Sequence, residues 1–149
     1  MLKHLILLIS IVTLITSGLH AGEPGKEAKV EGKHGCFEMR TYTAAEGKLE
    51  ALHARFRDHT NALFLKHGMH VIGYWVPDAP AKADEVDRSK NTLVYLLAYP
   101  DRETRDKMWK AFQSDPDWKK AREESEKNGK LVEKVQSDFL SATDYSPIK

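Results

Sequence analysis

The run Leu93-Val94-Tyr95-Leu96-Leu97-Ala98-Tyr99 constrains this chain more than any other stretch. Asn91 and Thr92 lead into it, and Pro100 closes it. Successive side chains of a strand point to opposite faces. A strand without polar alternation is therefore apolar on both faces, so residues 91–99 read as a strand buried on both sides of a sheet. Such a strand needs neighbours to pair with, and the rest of the chain provides candidates.

Residues 36–43 alternate and carry Phe37, Thr41 and Tyr42, which predicts a first strand. Residues 47–67 read as a helix, with Leu49, Leu52, Phe56 and Leu63 on one stripe. Gly68 follows, where a left-handed cap costs glycine little. Residues 69–76 predict a second strand, stopped by Pro77, and residues 78–90 a polar loop. Pro100-Asp101 opens a second helix with Asp101 as its N-cap and Met108, Trp109 and Phe112 as its apolar stripe. Asp115-Pro116 restarts it, since Asp accepts from free backbone donors and Pro at the first helical position loses no bond. That helix runs to about residue 127, where Asn128-Gly129 ends it, and residues 131–140 form the last strand. The order β-α-β-β-α-β predicts an α+β fold of the ferredoxin-like, split βαβ kind. In that fold a four-stranded antiparallel sheet carries its helices on one face.

The N-terminus is organised differently. Met1-Leu2-Lys3-His4 is basic, residues 5–15 are almost wholly apolar, and residues 16–21 are small and polar. This three-part pattern predicts a signal peptide over residues 1–21, cut after Ala21, and hence export to the periplasm or the medium. The apolar run is short of the roughly 20 residues a spanning helix needs, so no membrane attachment is expected after cleavage. Residues 22–35 are rich in Gly, Lys and Glu and read as a flexible tether to a domain over residues 36–149. Without residues 1–21 the chain keeps 22 basic and 22 acidic residues and is neutral. It lacks the basic footprint of a nucleic-acid partner. Cys36 is the single cysteine and precludes an internal disulfide. It reads as a small strand residue, with an intermolecular disulfide as the sharper alternative.

A series of short motifs stands in fixed order: Phe37-Glu38-Met39-Arg40-Thr41-Tyr42, Lys66-His67-Gly68, Gly73-Tyr74-Trp75, the run from Leu93 to Tyr99, and Asp115-Pro116-Asp117-Trp118. Together they resemble the NIPSNAP family, over about residues 36–147. The resemblance implies a ferredoxin-like α+β unit that pairs, sheet face to sheet face, into a dimeric α/β barrel. It implies no agreed catalytic residues.

Alternation along the first strand puts Phe37, Met39 and Thr41 on one face and Glu38, Arg40 and Tyr42 on the other. The first set suits packing on helices. The second is then the open face and the expected dimer interface, where Glu38 and Arg40 either pair or bracket a ligand. Trp75, Tyr95 and Tyr99 make the sheet aromatic, which favours an interface over plain solvation. His59 and His67 lie beside the helical stripe, at positions where similar sequences often have His. Each is either a core-edge histidine or a group that meets ligand and handles protons. The expected cavity set is therefore His59, His67, Arg40, Tyr42 and Trp75, with His59 and Tyr42 the candidates for any catalysis. No two histidines stand four apart on the helix, and one cysteine cannot build structural zinc, so no metal and no cofactor are predicted. Trp109 and Trp118 read as packing, and Arg105 as a surface ion pair.

Three functions compete. The first is an exported homodimeric binding or interaction module holding a small hydrophobic or aromatic ligand. The second is a cofactor-independent monooxygenase-like enzyme using the same cavity, on fold analogy alone. The third is a structural protein of the envelope. A cavity with a convergent polar set discriminates between the first two: His59 and Tyr42 meeting in one apolar pocket favours the enzyme, and a cavity filled by side chains counts against it.

Overall fold

The computed structural model describes residues 34–149. The predicted signal peptide over residues 1–21 and residues 22–33 of the predicted tether lie outside the described residues. Gly35, the last residue assigned to the tether, is already docked. Its N–H donates to the carbonyls of Tyr99 at 3.1 Å and Pro100 at 2.9 Å.

Strands β1 (Cys36–Ala44), β2 (His70–Trp75), β3 (Thr92–Tyr99) and β4 (Val132–Leu140) form one sheet in the order β2-β3-β1-β4. All neighbouring pairs are antiparallel. This is the α+β arrangement that the element order predicts. The apolar run is β3, paired on both edges. Its Leu93, Tyr95, Leu97 and Tyr99 face the helices and are fully buried. Val94 and Leu96 point to the other face and are only half-buried.

The helices are α1 (Leu49–Arg55), α2 (Asn61–Lys66), α3 (Arg102–Ser114) and α4 (Pro116–Ser125). The core lies between them and the sheet, with Leu52, Phe56, Phe64, Trp109 and Phe112 meeting Tyr95 and Tyr99. Both predicted caps form. Asp101 accepts from the Thr104 N–H at 2.6 Å and Asp115 from the Asp117 N–H at 2.8 Å, with Pro116 at the first turn of α4. The first helix ends at Gly68, at φ +75°. Met69 N–H reaches Phe64 O and Gly68 N–H reaches Leu65 O, the paired bonds of a glycine-terminated helix.

Two expectations are corrected here. The first concerns β1. Glu38, Arg40 and Tyr42 face the helices, and Phe37, Met39 and Thr41 face outward. Register shows why: Glu38 lies opposite Leu97, Arg40 opposite Tyr95 and Tyr42 opposite Leu93, all inward-facing. The expected dimer-interface trio therefore sits inside the protomer. A buried charge is tolerated where it is paired and hydrogen-bonded, and helix α3 provides that pairing.

The second concerns the first helix. Between α1 and α2, residues Phe56–Thr60 form a wide π turn. It spends one extra residue per turn, so the inward position after Phe56 falls on Thr60, not on His59. Thr60 is 1% exposed, and its hydroxyl donates to the Arg55 carbonyl at 3.2 Å. His59 is exposed.

Candidate functional site

Glu38 is the centre of the site. Its side chain is wholly buried, yet it stays a carboxylate. Arg105 donates to it twice, Nε to Oε2 at 2.7 Å and Nη2 to Oε1 at 2.6 Å. Ser137 of β4 donates at 2.6 Å, and Arg40 donates through Nη1. Burial alone would raise the carboxyl's pKa. The bonds from Arg105 and Ser137 and the charge of Arg40 outweigh it and bring the value down to about 2. Tyr99 bonds Glu38 at 3.3 Å and accepts from the Trp109 indole N–H at 2.8 Å. Burial first, and then the Glu38 charge, push the Tyr99 phenol up, so it stays a neutral donor.

This network fixes Arg40. Its Nε donates to the Tyr95 hydroxyl at 2.9 Å and its Nη2 to Tyr42 at 3.4 Å. Its guanidinium carbon lies 4.3 Å from the centre of the Trp109 ring, within cation–π range.

Arg40 and Tyr42 form part of the wall of a cleft of about 670 Å³ between the sheet and the helices. Phe56, Phe64, Trp109, Phe112 and Trp118 add aromatic surface, and Val132 and Val135 of β4 close the far side. Arg55 enters from α1. It is 5% exposed, pairs with Glu126 at 3.0 Å, and lies 5.4 Å from the Trp118 ring centre. The volume falls in the range of small-molecule sites.

Of the predicted cavity residues, the structure brings Arg40 and Tyr42 together. The others stand elsewhere. His59 lines a shallow surface groove between α1 and α4. Trp75 lies on the outer sheet face and is 52% exposed. His67 bonds Asp115 at 2.7 Å, and Lys66 joins the same carboxylate at 2.9 Å. Those two partners hold the Asp115 carboxyl far below the usual range. The pair locks the end of α2 to the start of α4 and serves the fold rather than the cleft. Cys36 is buried and free. Among the described residues no group of three metal-ligating side chains converges.

A family model described as NIPSNAP matches residues 37–147. The chain belongs to the NIPSNAP family. Solved structures carry the same fold at low identity. A NIPSNAP family protein of unknown function from Agrobacterium tumefaciens is 19% identical, covering 78% of this chain and 95% of its own, with a TM-score of 0.64. A second protein of the family from that organism is 22% identical, covering 78% and 100%, also at 0.64. An uncharacterised NIPSNAP-like domain protein from Burkholderia xenovorans is 21% identical, covering 76% and 90%, at 0.63. No curated protein matches.

In this NIPSNAP domain the residues that the sequence reading passed over matter most. Arg105 is not a surface ion pair but the main partner of a buried carboxylate. Trp109 and Trp118 pack and also wall the cleft. One signal was available: residues 102–122 combine Arg102, Arg105, Trp109, Trp118 and Arg122. Such a mixture of indole and guanidinium suits a site better than a plain core.

Proposed function

We propose that this NIPSNAP protein is an exported, homodimeric binding module that holds a small aromatic or apolar ligand between its sheet and its helices. The observation that carries the reading is the cleft. Its volume suits a small molecule, its walls are largely aromatic, and a pinned guanidinium stands in it. Aromatic walls with a few fixed polar groups are what ligand sites are made of. The pinned geometry of Arg40 also favours binding, since a group already ordered loses little entropy when a ligand arrives.

Pairing is supported by the outer sheet face. Met39, Val94 and Leu96 lie there with Trp75 and Leu140, and an apolar face of this kind favours a second surface over water. A second copy, sheet on sheet, is the partner of matching chemistry. Export is supported by the basic, apolar and small-residue order of residues 1–21.

The three tryptophans make a built-in test of the ligand site. Trp109 and Trp118 wall the cleft, and Trp75 stands on the opposite side of the sheet. Titration with small aromatic compounds should shift the indole N–H resonances of Trp109 and Trp118 and spare Trp75. Shifts confined to Trp75, or none, would overturn the reading.

A further inference from the structure

We infer that the cleft takes an organic anion, an aromatic carboxylate, with Arg40 and Arg55 supplying the donors that receive it. The inference rests on the cleft being the ligand site, and adds the ligand's charge.

Arg55 provides the first observation. Its side chain is almost wholly buried, and its Nε–H has no hydrogen-bond partner. Buried donors are nearly always paired. Arg55 lines the cleft and carries an N–H that no protein acceptor satisfies. Its other bonds, to Glu126 and Ser125, run through Nη1 and hold the group still.

Arg40 provides the second. A guanidinium has five N–H donors, and three of them reach Tyr95, Glu38 and Tyr42. Two are left. Glu38 is also shared with Arg105, so one carboxylate faces two guanidiniums. Arg105 has a further, exposed partner in Asp106. The buried part of the cluster, Arg40, Arg105 and Glu38, therefore carries one positive charge, and Arg40 is its member at the cleft.

The lining repeats this bias. Five basic and two acidic side chains line the cleft, in a chain whose formal net charge is only +1. Of these, Lys119 and Lys130 make no ion pair among the described residues. A carboxylate accepts two parallel bonds from a guanidinium. An aromatic body would lie against Trp109, Trp118 and Phe56. A cationic ligand meets like charge and is disfavoured.

The test uses 2-naphthoate and its neutral counterpart 2-naphthalenemethanol, titrated calorimetrically into the intact protein. The acid should bind about tenfold tighter or better. Arg40→Gln and Arg55→Gln should each lower that preference severalfold while the alcohol still binds. Should either variant fail to fold, Lys119→Glu/Lys130→Glu changes only exposed side chains and should also cut the preference, since it reverses the charge beside the site. Equal binding of acid and alcohol overturns the inference and leaves the cleft reading intact. Binding of neither overturns both. A preference for the acid that survives every folded variant also overturns the inference, because the attraction then lies elsewhere.

Discussion

Arg105 grips the Glu38 carboxylate with two bonds, at 2.7 and 2.6 Å, across 67 residues of sequence. The contact ties α3 to β1 behind Arg40 and Trp109, which do line the cleft. With Glu38 held, Arg40 two residues on is held too, and its guanidinium lies over Trp109. Core and candidate site thus share one network.

Acid should loosen the fold through Glu38. Its carboxyl lies at about 2 in the folded chain against an ordinary 4.5. The unfolded chain therefore binds more protons between those values, and stability rises with pH across that window. The contribution is complete above the ordinary value and is lost as pH falls toward the lower one. It corresponds to about 3 kcal/mol. Urea unfolding of wild type and Glu38→Gln should show a gap of that order near neutral pH, closing as the lower value is approached.

Arg105→Met should be severely destabilising. It leaves Glu38 buried with only Arg40, Ser137 and Tyr99 as partners, and breaking a buried pair costs about 3 kcal/mol or more. Asp106→Asn, at the exposed partner of Arg105, should stay within about 0.5 kcal/mol. Chemical denaturation measures both.

His59→Gln should change stability by no more than about 0.5 kcal/mol and leave ligand binding unaltered, because the π turn puts His59 on the surface. Thr60→Ala should cost about 1 kcal/mol through a lost buried hydroxyl bond and a small void. Melting curves of the two variants separate the two registers of this helix.

The element order was readable because each segment carries its own local signal. Asp115-Pro116 marks a helix start with two adjacent residues, and the β3 run marks a doubly paired strand by lacking polar alternation. The faces of β1 were not readable in this way. Phe37 and Met39 look like the helix-facing set, and Glu38 and Arg40 like the outward one. What reverses them is Arg105 and Ser137, 67 and 99 residues downstream of Glu38. The π turn left no local mark either: its extra residue shows only as Thr60 buried where His59 was expected. The cleft was half readable. Arg40 and Tyr42 stood out as bulky polar residues on a strand, whereas Arg55, Trp109 and Trp118 pass for ordinary helix residues until the helices are placed.

The outer sheet face should carry the dimer. Leu96→Lys puts a charge in the middle of that face and should yield a folded monomer, read by light scattering with unchanged circular dichroism. Tyr42→Asp, by contrast, should unfold the protein rather than split the pair, since Tyr42 packs against Phe56 and Tyr95 at ring distances of 5.9 and 5.3 Å.

A small molecule held in the cleft between sheet and helices would travel with this NIPSNAP protein through purification. Native mass spectrometry of the protein purified from its own host tests it most directly. The wild type should be a dimer that carries up to one small molecule per protomer, released on activation, and a Trp109→Ala/Trp118→Ala variant should carry none. A bare wild-type chain, or an adduct that the double variant retains in full, would contradict it.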